Sequence, residues 1–389
     1  MITSEELQNR LWAGANALRG SMDASRYKDY MLGLLFYKFL IEKTIEGFRA
    51  ATRCQGSQDE VLAQYGKMFD TMGEQIKKAL MKTPGYYVEP RYLYYTWVKE
   101  IKAGKFELQH VTDGIGAFER MITGAKDADD FKNLFSTMNL NDPALGADLN
   151  MQSRNISNLI MLFEDLSIIE LQENDVIGDA YEYLIGNFAM EAGKKAGEFY
   201  TPHQVSDVMA RIAAHSMPDM NSIYDPACGS GSLLLTVKHY LSEEKKKTLH
   251  YYGQELNTAT YNLARMNLLL HGVKPGMMDV HNGDTLAEDW PEDPERPGEG
   301  CLFDTVVMNP PYSLKDWNKK ELTVSDPRFE MAGTLPPANK GDYAFLLHGL
   351  YHLGPEGVMA IVLPHGCCSG ELQRESSGRS LLTRTISMR

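Results

Sequence analysis

Apolar positions along the chain follow two periods, and the change between them divides the sequence. Through the first part they recur at helical spacing. Thr3 and Glu6 form a capping box ahead of Leu7, Leu11 and Leu18. From Ala24 to Ile45, Tyr27, Met31, Leu34, Leu35, Phe39 and Ile41 are spread around nearly the whole circumference, which predicts a helix buried among others. Met151 to Ile160 continues the helical pattern, and Ile177, Tyr181, Leu184 and Phe188 share one face of a further helix from Ile177 to Met190. After that the chain alternates short apolar runs with helical faces. Strands are predicted at the start of Ser222–Ser232, ahead of a glycine turn, and at about His250–Gln254, Met277–His281, Asp304–Met308 and Val358–Leu363. Between them lie helices marked by Leu233, Leu234 and Val237, by Ala259, Leu263, Met266 and Leu270 with a stop at Gly272, and by Gly341–Phe345.

Strand and helix in alternation predict an α/β fold, a doubly wound, mostly parallel, Rossmann-like sheet preceded by an all-helical domain. The expected organisation is a helical domain over residues 1–168, an α/β domain over 169–366 and a polar tail over 367–389. The aromatics Tyr86, Tyr87, Tyr92, Tyr94, Tyr95 and Trp97 read as packing residues of the helical part. The stretch Ser313 to Lys340 is too long for a plain connector and reads as a substrate lid or disordered loop.

Composition narrows the class. A chain of 389 residues with 43% hydrophobic and 23% charged content is an ordinary globular protein of about two to three domains. The N-terminus lacks a basic start and an apolar run, and Met31 to Ile41 is too short to span a bilayer, so the expected location is the cytoplasm, with no membrane partner. Five cysteines without Cys-x-x-Cys spacing are expected as free thiols, with no metal site. The net charge of −13 does not suit a chain that grips nucleic acid unaided; if DNA is the substrate, a partner helps to hold it.

Candidate chemistry sits where strands end. Asp225-Pro226-Ala227-Cys228-Gly229-Ser230-Gly231-Ser232 joins a strand to a helix, the arrangement that lets a ligand approach bare backbone at the positive end of a helix. Leu234 stands where a dinucleotide fingerprint needs its third glycine, which disfavours a nicotinamide cofactor. Glu255, 24 positions beyond Gly231, ends the second strand, where an acid can take both hydroxyls of a ribose. Asp284, after the third strand, can accept from an adenine amine while Leu286 packs on the ring. Thr201 is expected as the N-cap of a helix whose first residue is Pro202.

Asn309-Pro310-Pro311-Tyr312 follows the fourth strand. An amine on an aromatic ring or an amide is a poor nucleophile, because its lone pair is delocalised. The Asn309 side-chain oxygen and the Pro310 carbonyl can each accept one N–H and draw the nitrogen towards tetrahedral geometry. Tyr312 offers a face for stacking a base, worth roughly 1 to 3 kcal/mol in single-strand binders.

Taken in order, the glycine turn and the Asn309–Tyr312 tetrad resemble those of the amino-group DNA methyltransferases that use S-adenosylmethionine. With Gly197-Glu198-Phe199-Tyr200-Thr201-Pro202 ahead of them and a long helical region before that, the chain is similar to the modification (M) subunits of type I restriction-modification systems. The resemblance implies that Glu198, Phe199, Tyr200, Thr201, Pro202 and His203, the turn residues Asp225, Gly229, Ser230, Gly231 and Ser232, and the acids Glu255 and Asp284 hold the cofactor. It implies that Asn309, Pro310, Pro311 and Tyr312 hold a flipped adenine, whose N6 attacks the methyl without a metal or a covalent intermediate. Family members usually carry arginine where this chain has His203. The implied partners are DNA, the specificity and restriction subunits and a second copy of the chain. The motifs run out after Pro364-His365-Gly366, and a truncated or altered C-terminus is expected there. Two other readings carry the same motifs: an inactive fragment that at most binds cofactor or partner, and a protein glutamine methyltransferase, since the tetrad polarises an amide nitrogen equally well.

Overall fold

The computed structural model describes residues 3–18, 24–173, 176–191, 201–288, 290–312, 314, 317, 322–337 and 341–364. Two compact units divide the chain, one comprising residues 1–193 with 265–276, the other 194–264 with 277–389.

The first unit is helical. It contains α1 (Ser4–Leu18), α2 (Ala24–Thr52), α3 (Gln58–Leu80), α4 (Tyr94–Lys102), α5 (Leu108–Ile122), α6 (Ala128–Phe131), α7 (Leu149–Leu162), α8 (Ile168–Glu173) and α9 (Val176–Glu191). The Thr3 capping box forms: Glu6 N–H donates to Thr3 Oγ1 at 3.2 Å, and Thr3 N–H donates to Glu6 Oε2 at 2.9 Å. Helix α2 is buried through most of its length, as its circumferential apolar pattern predicts, yet it carries Lys38 and Glu42 inside. They pair at 2.8 Å, and Glu42 also accepts from the Tyr95 hydroxyl and from the Ile168 and Ile169 N–H groups that open α8. The pair is tolerated there because each oxygen of the carboxylate is hydrogen-bonded. Tyr86, Tyr94 and Trp97 are buried, and Trp97 stacks on Tyr37 at 4.9 Å between ring centres, so these aromatics pack the core.

The second unit is a five-stranded, wholly parallel sheet, with helices in the connections other than that from β3 to β4 among the described residues. It runs α10 (His203–Ser216), β1 (Ser222–Asp225), α11 (Ser232–His239), α12 (Glu243–Lys246), β2 (His250–Glu255), α13 (Thr258–Leu270), β3 (Met278–Asn282), β4 (Phe303–Met308), α14 (Pro327–Glu330), α15 (Gly341–Tyr351) and β5 (Leu353–Ile361). The strand order is β3-β2-β1-β4-β5. The chain reverses direction across the sheet between β1 and β4, and open α/β sheets bind ligands beyond the strand ends at such a switch point. Residues 265–276, the second half of α13 and the turn after it, belong to the helical unit. There Arg265 donates to the carbonyls of Asp129 and Lys132 at 2.8 and 3.0 Å, and Gln172 donates to the last carbonyls of α13.

Three sequence expectations need correction. The N-cap of α10 is Pro202, not Thr201, and it makes no side-chain cap hydrogen bond. Strand β5 begins five residues earlier than its apolar run, at Leu353; the pairs Phe303–Leu353 and Thr305–Val358 show that the Gly354–Gly357 segment bulges out of register, which hides the strand from its pattern. The stretch from Ser313 to Lys340 is not a lid throughout. Trp317 is buried and donates to the Pro337 carbonyl at 3.0 Å, and Arg328 and Phe329 are buried in the unit's core.

Candidate functional site

Each strand end around the switch point contributes a residue to one cavity of about 560 Å³. At the end of β1, Gly229 and Gly231 take φ values of 55° and 78°, the left-handed region where a side chain strains the backbone. Gly231 is the N-cap of α11, and a helix start is where backbone N–H groups without intrahelical partners can meet a ligand. The buried hydroxyls of Ser230 and Ser232 lie 2.9 Å apart at the same turn. At the end of β2, Glu255 holds the glycine turn in place, accepting from Gly229 N–H at 3.2 Å and from Asn257 N–H at 2.7 Å. Both carboxylate oxygens are thereby tied to backbone N–H groups at the cavity wall. After β3, the Asp284 carboxylate accepts from Leu286 N–H at 3.0 Å, and the Thr285 hydroxyl donates to the Pro226 carbonyl of the glycine turn.

Asp225 is the deepest acid of the site, 2% exposed at the end of β1. Burial pushes its carboxyl up to about 8, the Ala227 N–H pulls against that, and the charge of Glu255 pushes the same way. The neighbouring Cys228 thiol is pushed well above its ordinary value, again by burial first. A thiol so held in its protonated form is a poor nucleophile. Asp225, Glu255 and Asp284 line the cavity, and its described lining holds no lysine, arginine or histidine. That electrostatics suits a cationic ligand and opposes a pyrophosphate, which agrees with the missing third glycine.

Beyond β4, Asn309 lines the same cavity. Its amide nitrogen donates to the Thr201 hydroxyl at 3.1 Å, and its side-chain oxygen accepts from the Tyr312 hydroxyl. Burial, then the charge of Asp342, raises the Tyr312 phenol above its ordinary value, so it stays a donor. Pro311 lines the cavity; Pro310 is buried outside the lining; Tyr312 lies outside it and is 40% exposed.

The cavity therefore brings together Thr201, Asp225, Gly229, Ser230, Ser232, Glu255, Asp284, Asn309 and Pro311 from the sequence-derived set. Gly231 and Pro202 are adjacent to lining residues in the chain but not in the lining, and the exposed His203, two positions beyond Thr201, is also outside it. Glu198, Phe199 and Tyr200 lie outside the described residues. Among the lining residues that sequence reasoning did not assign to the site are Gln254, Leu314, Trp317 and Phe345. Phe345 sits five residues into α15 on a helix that reads as plain core, and Trp317 sits in a segment with no periodicity, so neither gave a signal.

Comparison with known proteins follows the same division. A family profile described as N-6 DNA Methylase matches residues 172–386, and one described as HsdM N-terminal domain matches residues 7–163. The methylase subunit of the type I restriction enzyme MpnII from Mycoplasma pneumoniae is 36% identical over 386 residues, covering 96% of this chain and 70% of that protein. That of MjaIX from Methanocaldococcus jannaschii is 28% identical and covers 94% of this chain and 62% of that protein. Among solved structures, a type I restriction-modification methyltransferase subunit from Streptococcus thermophilus superposes with a TM-score of 0.83 at 40% identity, covering 94% of this chain and 76% of that one.

Proposed function

The chain belongs to the N-6 DNA methylase family and, through both of its matched regions, to the methylase subunits of type I restriction enzymes; from that membership we propose that it transfers a methyl group from S-adenosylmethionine to the N6 amine of a flipped adenine in DNA. The observation that carries this reading is the single cavity in which the acids of three strand ends meet Asn309. The residues fit the cofactor: three carboxyl groups, with no cation in the described lining, suit a ligand with a sulfonium and an ammonium. Glu255 would take the ribose hydroxyls, Asp284 the adenine amine, and the turn at Gly229, Ser230 and Gly231, with Ser232 and Asp225, the methionine end. When bound, the cofactor supplies an electrophilic methyl group.

The chain's own residues act on the base. The Asn309 oxygen and the Pro310 carbonyl accept the two N–H groups of the amine, which withdraws the nitrogen lone pair from the ring and aims it. The Asn309 oxygen has two lone pairs, so it can accept from the amine whether the Tyr312 hydroxyl stays or leaves, and the Tyr312 ring offers a face for stacking the base. Extruding the base costs a few kcal/mol, offset by these contacts.

Among the described residues no helix is long and apolar enough to cross a membrane, and the proposed location is the cytoplasm. An acidic chain with one catalytic cavity fits a subunit that works with a specificity subunit to read DNA, a restriction subunit to cut it and a second copy of itself. Membership in a DNA methylase family disfavours both the glutamine methyltransferase and the inactive fragment. The test is calorimetric titration of the purified chain with S-adenosylmethionine, then transfer of a radiolabelled methyl to unmethylated DNA with a cognate specificity subunit added. Saturable binding with label in adenine is expected. Label in protein, or binding without transfer, overturns the reading.

A further inference from the structure

Arg328 is 2% exposed, yet it stands in the short helix α14, in the polar stretch that follows the Asn309–Tyr312 tetrad. Its guanidinium is fully engaged. Nε and Nη2 donate to the two oxygens of Asp326 at 3.0 and 2.7 Å, Nη1 donates to the Thr285 carbonyl at 3.0 Å, and Nη2 also reaches the Leu286 carbonyl at 3.3 Å. Those two carbonyls belong to the turn that carries Asp284, whose carboxylate is itself held by Leu286 N–H. The Thr285 hydroxyl ties the turn to Pro226 in the glycine loop. One buried fork thus fixes the backbone on which the cavity's third acid stands. Its charge is paired with Asp326, while Asp284 lines a cavity whose described lining holds no cation.

We propose that Arg328 is a positioning residue that sets Asp284 for recognition of the cofactor's adenine amine. This rests on the function proposed above and assigns a role to a residue outside the cavity lining. A carboxylate discriminates an exocyclic amine from a carbonyl only while its acceptor lone pairs are aimed at the amine. Aim depends on the turn, and the turn depends on a planar fork that reaches two carbonyls and a carboxylate together. Lysine, a point donor on a flexible stem, cannot span them.

The experiment compares affinities for S-adenosylhomocysteine and S-inosylhomocysteine, which carry an amine and a carbonyl at that ring position, by calorimetry on the wild-type chain, Arg328→Lys and Asp326→Asn. The wild type should prefer the adenine form by about tenfold or more, the cost of facing a carboxylate with a carbonyl. Arg328→Lys should reduce the preference to less than about threefold, through loss of adenine-form affinity with the inosine form little changed. Asp326→Asn, which weakens the guanidinium's anchor without removing it, should fall between, and it decides the matter if the lysine variant fails to fold. Full wild-type preference in a folded variant overturns the proposal. A wild type that binds both compounds equally overturns it through Asp284, and one that binds neither overturns the cofactor reading beneath it.

Discussion

The Asn309 amide nitrogen donates to the Thr201 hydroxyl across 3.1 Å, joining the residue after β4 to the residue two positions before α10. A side-chain amide can present either end to a ligand, and methyl transfer needs the oxygen. With the nitrogen committed to Thr201, the oxygen is the end that the proposed reaction assigns to the base amine. Thr201→Val keeps the shape and removes the acceptor. One hydrogen bond of about 0.5–1.5 kcal/mol corresponds to a fall in kcat of about two- to tenfold, and Thr201→Ser should restore it. Single-turnover methyl transfer at saturating cofactor measures this; a valine variant with wild-type kcat would contradict the assignment.

Asn309 and Tyr312 separate by readout. Asn309→Ala removes an acceptor that acts on the amine in the transition state, so methyl transfer should fall by at least about 10²-fold with cofactor affinity nearly unchanged. Tyr312→Ala removes a stacking face and should weaken DNA binding by roughly 1–3 kcal/mol. Tyr312→Phe keeps the ring, removes the hydroxyl that occupies the Asn309 oxygen, and should bind DNA as the wild type does. Fluorescence anisotropy with a cognate specificity subunit present distinguishes the three variants.

Asp225 gives the site a pH dependence whose sign is fixed. Its folded-state value is raised to about 8, above the ordinary carboxylate range, so between about pH 4 and 8 the folded chain holds a proton that the unfolded chain has released. Its contribution to stability is full below that window and is lost as pH rises through it. A cationic cofactor reverses the balance by favouring the carboxylate. Affinity for S-adenosylmethionine should therefore climb from pH 6 to about 8 and level off above, with a proton released on binding. Calorimetry in buffers of different ionisation enthalpy counts that proton; a flat affinity across the range would remove Asp225 from the cationic end.

The buried Lys38–Glu42 pair predicts an asymmetric effect on stability. Lys38→Met leaves a buried carboxylate with its N–H and hydroxyl donors but no cation, a loss of about 3–5 kcal/mol by analogy with other broken buried pairs. The double variant Lys38→Met with Glu42→Leu should recover part of this, because no charge is then buried, although the Ile168 and Ile169 N–H groups lose their acceptor. Chemical denaturation of the four forms closes the cycle.

Much of this protein is determined by its sequence alone. Strands, glycine turn and tetrad depend on neighbours a few residues apart: period-2 or continuous apolar runs, φ values only glycine adopts freely, and prolines that fix the chain. Those local rules place Asp225, Glu255, Asp284 and Asn309 at successive strand ends, and a parallel sheet with a switch point brings strand ends together. Tertiary structure decided the rest, because it turns on partners far apart in sequence. Arg328 is unremarked within a polar stretch until the carbonyls of Thr285 and Leu286, 43 and 42 positions away, are seen to close its fork. Thr201 reads as a helix cap until Asn309, 108 residues later, takes its hydroxyl. Trp317 and Phe345 become cavity wall only once the sheet has set their elements beside it. The second half of α13 carries the same helical period as the first, yet Arg265 and the residues after it pack within the helical unit, since burial of a helix face depends on what the rest of the chain brings against it.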